Sequence, residues 1–267
     1  MGKINSGINL TKKVFIRTCE NNSLCSKQLK NINASELGYC LPNGNINFQT
    51  EEAALKYIKN RLLASLNGEQ QFERCIAKRD TRILSETNGS KNHCDLPFNG
   101  EEFLERISDK AVRDVEIWHS HPDEYGIAKA PPLSPPEGGD LATFNELHLK
   151  KIVAMNSKGE INSMEVLPSY SSEMFNEFRN KFDDFVGARV IKLLPEKLQH
   201  RIEQITKILM ENKGTSIPQE LKNELKYIEQ LQIKSQSKGE FAQIMHDYYK
   251  TADQYGMRYY TNFSNLA

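Results

Sequence analysis

One stretch constrains this chain more than any other. The run Val112 to Trp118 leads directly into His119-Ser120-His121-Pro122, and Asp140 follows nineteen residues after His121 inside Gly139-Asp140-Leu141-Ala142-Thr143. A short apolar run of this kind reads as a buried strand. On a strand, residues two apart share a face, so His119 and His121 point two imidazoles the same way. Asp140 opens a stretch, Asp140 to Leu149, that reads as a helix. A fold that brings this helix start to the end of that strand gathers three nitrogen and oxygen donors. Three such ligands leave one tetrahedral position open, which marks a catalytic rather than a structural zinc site.

The rest of the pattern predicts a layered α/β chain of the α+β kind, a mixed sheet flanked by helices with a helical extension at the C-terminus. Residues 1–48 are polar and Asn-rich, with Val14-Phe15-Ile16 the one strand candidate, and read as a loosely ordered extension. Thr50-Glu51-Glu52 is a helix-capping signal. Ala54, Leu55, Ile58, Leu62 and Leu63 continue at helical spacing until Asn67-Gly68. Phe72 to Ala77 and Thr81 to Glu86 read as strands, Glu101 to Ile107 as a short helix, and Lys151–Met155 with Ser163–Leu167 as a hairpin about Asn156-Ser157-Lys158-Gly159. From Ser171 onward the spacing is helical, with Phe175, Phe178, Phe182 and Phe185 on one face. The division expected is therefore 1–48, a core over 50–168, and a helical region over 171–267.

His-Ser-His-Pro, a loop containing Ser134, and then Asp-Leu-x-Thr together resemble the JAMM (JAB, MPN) metalloproteases. That resemblance covers about residues 70–168. It implies zinc held by His119, His121 and Asp140, an upstream glutamate that accepts a proton, and a serine that steadies the oxyanion. It implies cleavage of a peptide or isopeptide bond in a protein substrate, such as a ubiquitin-like or host protein. Glu86, followed by Gly89, matches the upstream glutamate, and Ser134 matches the serine. Two departures stand out: the His121–Asp140 loop is long, and Ser134 lies six residues before Asp140 where the family has three. Glu137 occupies the family's serine position, and Glu137 and Glu124 are the next candidates for the proton acceptor. A JAMM-like core with an unfamiliar helical extension suits a bacterial effector or toxin.

Composition removes several other classes. Lys+Arg and Asp+Glu are both 35, which argues against a chain built to grip nucleic acid. No segment reaches the ~20 apolar residues that span a bilayer, and no apolar run follows the N-terminal lysines, so no Sec signal is expected. The expected location is cytoplasmic, or a host or target cell reached without a Sec signal. Gly2 with Ser6 fits an N-myristoylation pattern, a lipid anchor if the chain acts in a eukaryotic cell. Five cysteines without a CxxC pair predict free thiols. Trp118 reads as core, and adjacent His93 and Cys94 point to opposite sides of an extended chain. Two rival readings stay open: a zinc-free JAB-type scaffold that binds proteins, and a metal phosphoesterase.

Overall fold

The computed structural model describes residues 39–40 and 45–262, apart from 69, 91–93, 109–111, 123–132, 135, 137–138, 193, 212–218, 222, 225–226 and 228–239. The strand candidate Val14-Phe15-Ile16, Gly2, His93, Glu124 and Glu137 lie outside the described residues.

The fold is α+β. Eight strands form one sheet in the order β1-β2-β4-β3-β5-β6-β7-β8. They are β1 (Tyr39–Cys40), β2 (Ile46–Asn47), β3 (Arg74–Arg79), β4 (Arg82–Asn88), β5 (Glu116–Ser120), β6 (Lys151–Met155), β7 (Ile161–Val166) and β8 (Met257–Thr261). All neighbours are antiparallel except β5 and β6, which run parallel and so need a crossover. That crossover carries the long loop and helix α3 (Asp140–Glu146). The helix start thereby returns to the end of β5.

Two cores sit on the two faces of the sheet. Helix α1 (Glu51–Leu66) covers one face, burying Ala54, Ile58 and Leu62 against Ile76, Trp118 and Val153. Its cap is the one expected: the Thr50 hydroxyl accepts from the Ala53 amide at 3.2 Å. The other face holds Cys75, Ala77, Ile117, Ile152 and Ala154 against Leu141 and Phe144 of α3. There they also meet Phe175, Phe178 and Phe182 of α4 (Ser172–Lys192) and Tyr248 and Tyr249 of α6 (Glu240–Tyr249). The Phe stripe of the C-terminal region is core. Helix α5 (Glu196–Glu211) builds a smaller cluster in which Ile205 packs with Leu194 and Leu221.

Four expectations need correction. The strand read from Val112 begins at Glu116, because the Asp114 amide turns back to the Val112 carbonyl at 3.0 Å. Arg79 and Arg106 hold the Asp114 carboxylate there. The helix read through Leu149 ends at Glu146, and His148 takes a left-handed φ of 49°. Residues after 171 are not all helical: after a 3-10 turn (Ala252–Tyr255), β8 pairs with β7 along its whole length. The segment before residue 48 supplies β2, which pairs Ile46 with Ile83. Both outer segments therefore add strands to the central sheet, and the sheet crosses the expected boundaries at 48 and 171. Helix α2 (Gly100–Ile107) starts within a residue of its expected position, capped by Asn99.

Candidate metal centre

His119 is the fourth residue of β5, in register with Cys75 of β3 and Ala154 of β6. It therefore projects toward α3 and α6, while Trp118 projects toward α1. His121 follows just past the strand, its amide held by the Met155 carbonyl at 2.8 Å. Two-residue alternation puts it beside His119. The two Nε2 atoms lie 2.9 Å apart.

Asp140 enters from the first turn of α3. Its Oδ1 is 3.0 Å from His119 Nε2, and its Oδ2 is 3.7 Å from His121 Nε2. All three side chains are at least 85 % buried. Among the described residues these three form the one group of histidine, cysteine and acid side chains that converges in this way. Two ligands that share a tetrahedral zinc at roughly 2.0–2.1 Å stand about 3.3 Å apart. The observed separations straddle that value.

The protonation pattern suits a cation. Burial, then the neighbouring His119 charge, brings His121 down to about 4, so its imidazole is neutral at pH 7. Its Nδ1 is buried without a hydrogen-bond partner. Burial works against the charged form of Asp140, yet the two histidines and the Ser134 amide hold it well below the usual carboxylate range. Burial pushes His119 down, but Asp140 and Glu73 outweigh it and the net shift is upward. An ionised carboxylate beside two imidazoles, of which His121 is held neutral, has the donor set of a divalent metal site.

Ser134 reaches this group through Asp140. Its amide and its hydroxyl both donate to Oδ2, at 2.9 and 3.1 Å. The hydroxyl is thus engaged with the Asp140 carboxylate rather than turned outward as an oxyanion donor. Gly139 makes the approach possible: at φ 73° and ψ −134° it occupies backbone space that side chains avoid. A Cβ there would lie 2.6 Å from Ser134 Cβ.

Glu86 lies elsewhere, and this corrects its expected role. It pairs with Ile76, which pairs with Trp118, so its side chain belongs to the α1 face of the sheet, opposite His119. There it accepts hydrogen bonds from Arg61, from Arg74 at 3.0 Å and from Tyr57 at 3.3 Å. A carboxylate held by two guanidinium groups behind the sheet is not placed to take a proton at the triad.

Glu73 was missed by sequence reasoning. It stands two residues before Cys75, which pairs with His119, and extending that ladder by two places sets Glu73 opposite His121. Its charge helps raise His119. The signal lay in the two-residue period of the Phe72–Ala77 strand, where Glu73 shares a face with Cys75. Cys94 also lies on this side, its Sγ 3.6 Å from the Thr87 hydroxyl, and both Cys75 and Cys94 are free thiols.

Comparison with known proteins gives no match among family models, curated proteins or solved structures. Among the described residues no helix is long and apolar enough to cross a membrane.

Proposed function

We propose that this chain is a zinc-dependent hydrolase that cuts a peptide or isopeptide bond in a protein substrate, as its resemblance to the JAMM metalloproteases implies. The convergence of the mostly buried side chains of His119, His121 and Asp140 at the end of β5 carries this reading. Zinc is the metal we assign, because two imidazoles and one carboxylate form a three-ligand set that leaves a position open for reaction.

Each of the chain's own groups then has a task. His119 and His121 would offer their Nε2 atoms to the ion, with His119 giving up any proton it carries, and Asp140 would offer its carboxylate. The Ser134 amide and hydroxyl keep that carboxylate ionised and fixed, the support that ligating carboxylates generally need. When bound, zinc supplies Lewis acidity, which polarises a carbonyl and brings the acidity of water to about 7. Glu73, on the histidine face by strand register and close enough for its charge to raise His119, would take the proton and return it to the leaving amine. Glu86 acts instead in the fold, joining β4 to α1.

A paired substitution tests this. Glu73→Gln keeps shape and zinc content but loses turnover by at least about a hundredfold, the usual contribution of a positioned proton acceptor. Glu86→Gln retains turnover and loses some thermal stability. Zinc is measured on the purified full chain by elemental analysis. Turnover is followed as new protein N-termini or released ubiquitin-like chains in a cell lysate. A wild-type chain with no affinity for zinc refutes the metal reading, and normal turnover by Glu73→Gln refutes the assignment of the base. Phosphodiester turnover without proteolysis would move the chain to the phosphoesterases.

A further inference from the structure

The C-terminal helical region lies outside the motif that defines the metal site, yet one of its side chains reaches it. Tyr249, on the last turn of α6, is fully buried. Its hydroxyl donates to the Leu133 carbonyl at 2.8 Å and lies 3.3 Å from the Ser134 carbonyl. The Leu133 carbonyl and the Ser134 amide belong to one peptide group, and that same amide donates to Asp140 Oδ2 at 2.9 Å. In a trans peptide the C=O and N–H point in opposite directions. Tyr249, the Leu133–Ser134 peptide and Asp140 therefore stand in line. A donor on the carbonyl polarises the amide and strengthens the hydrogen bond on its far side.

The ring is held so that the hydroxyl cannot wander. Phe182 of α4 stacks on it with centroids 6.2 Å apart and planes at 21°. Tyr259 of β8 meets it edge-on at 5.5 Å. Burial, reinforced by the Asp140 charge, pushes the phenol well above its ordinary value, so it remains a donor at any working pH.

We propose that Tyr249 is a positioning residue of the metal site, acting through the Leu133–Ser134 peptide to fix the Asp140 carboxylate. This inference rests on the metal reading given above. It assigns the α4–α6 aromatic layer and β8 a part in metal binding, and not only in the core. Tyr249 is what holds the Leu133–Ser134 peptide, six residues before Asp140, against α6.

The test uses the full chain with Tyr249→Phe, which removes one oxygen and keeps the ring. Tyr248→Phe is the control. Tyr248 is also buried, and its hydroxyl donates to the Phe178 carbonyl at 2.5 Å, a bond that leads nowhere near Asp140. Zinc affinity is measured by competition with a chelating dye. Tyr249→Phe should weaken zinc by roughly tenfold, the lower end of the range for supporting groups around a metal, and Tyr248→Phe should leave it unchanged. The Ser134 amide proton, followed by NMR in zinc-free protein, should move upfield in Tyr249→Phe alone. If wild type binds zinc and Tyr249→Phe binds it equally well, or both variants weaken it equally, this inference fails while the metal reading survives. An unmoved Ser134 amide also overturns it. If wild type takes up no zinc, the metal reading falls and takes this one with it.

Discussion

Gly139→Ala is the sharpest probe of how the loop and α3 cooperate. The backbone at this position has φ 73° and ψ −134°, and a conformation of that kind costs a side-chain-bearing residue roughly 1–3 kcal/mol. The new Cβ would also lie 2.6 Å from Ser134 Cβ and 2.9 Å from its Oγ, against an ordinary contact of 3.4 Å or more. Ser134 must withdraw by the difference, 3.4 − 2.6 = 0.8 Å. A retreat along the hydrogen-bond line takes the Ser134 amide from 2.9 to about 3.7 Å from Asp140 Oδ2. A side-chain contact at that distance no longer counts as a hydrogen bond. Losing one charge-assisted bond adds roughly 1.5–3 kcal/mol. The total is about 3 kcal/mol or more, or a fall in Tm of about 6–12 °C at roughly 2–4 °C per kcal/mol for a domain of this size. Gly159→Ala is the control: its φ is also positive, at 77°, but an added Cβ meets only Leu63 Cδ2 at 3.9 Å. Thermal melts in chelator compare the two, and a zinc titration follows. If Gly139→Ala melts no lower than Gly159→Ala and holds zinc as wild type does, the coupling of Gly139, Ser134 and Asp140 is wrong.

Two further tests probe the titrating groups. Burial and the neighbouring His119 hold folded His121 near 4, whereas the unfolded imidazole protonates near 6.5. The unfolded state therefore gains a proton as pH falls through that window, and the zinc-free protein loses stability between pH 6.5 and 4 on this account. His119, shifted upward, opposes the trend, so the comparison is with His121→Asn: between pH 7 and 5 the wild type should lose about 2 kcal/mol more than the variant in urea melts. Equal losses would show that His121 is not the buried neutral group described. On the opposite face, Lys78 is fully buried, 3.0 Å from Glu51 and 3.1 Å from the nearly buried Glu116, which also accepts from the Trp118 indole. Lys78→Met should destabilise by up to about 3–5 kcal/mol because it leaves the nearly buried Glu116 only the Trp118 indole and the half-exposed Lys150 at 3.7 Å, and Lys78→Met with Glu116→Leu should recover most of it. A single variant as stable as wild type would refute the buried-pair account.

Much of the local structure was legible because it depends on neighbours in sequence. Thr50 caps α1 through a hydroxyl three residues from the amide it satisfies. The Asn156–Gly159 turn places Gly159 at φ 77°, where a glycine belongs. The Phe175–Phe182 spacing gives a helix whose buried face is the aromatic one. His119 and His121 share a face because alternation along a strand is local, and Asp140 sits at a helix start. Boundaries failed where distant groups set them. Asp114 is drawn into a turn by Arg79 and Arg106, which delays β5 to Glu116.

The two carboxylates show the limit most clearly. Glu73 and Glu86 both lie upstream of the histidines on adjacent strands, and a short motif cannot choose between them. The choice is made by register: Cys75 beside His119 sets Glu73 on the His119 face, and Ile76 beside Glu86 sets that carboxylate against α1. A slip of one residue would exchange the two faces. Only long-range burial of Ile76 and Trp118 under α1 fixes that slip at zero.

The amino-acid sequence by itself determined the shared face of His119 and His121, the caps and most of the helices and strands, because each rests on contacts within a few residues. Tertiary structure decided which glutamate faces the trio. It also decided that β8 returns to the sheet and that Tyr249, 115 residues beyond Ser134, braces the loop holding Asp140. Those outcomes depend on strand register and on the packing of distant helices, which a local pattern does not encode.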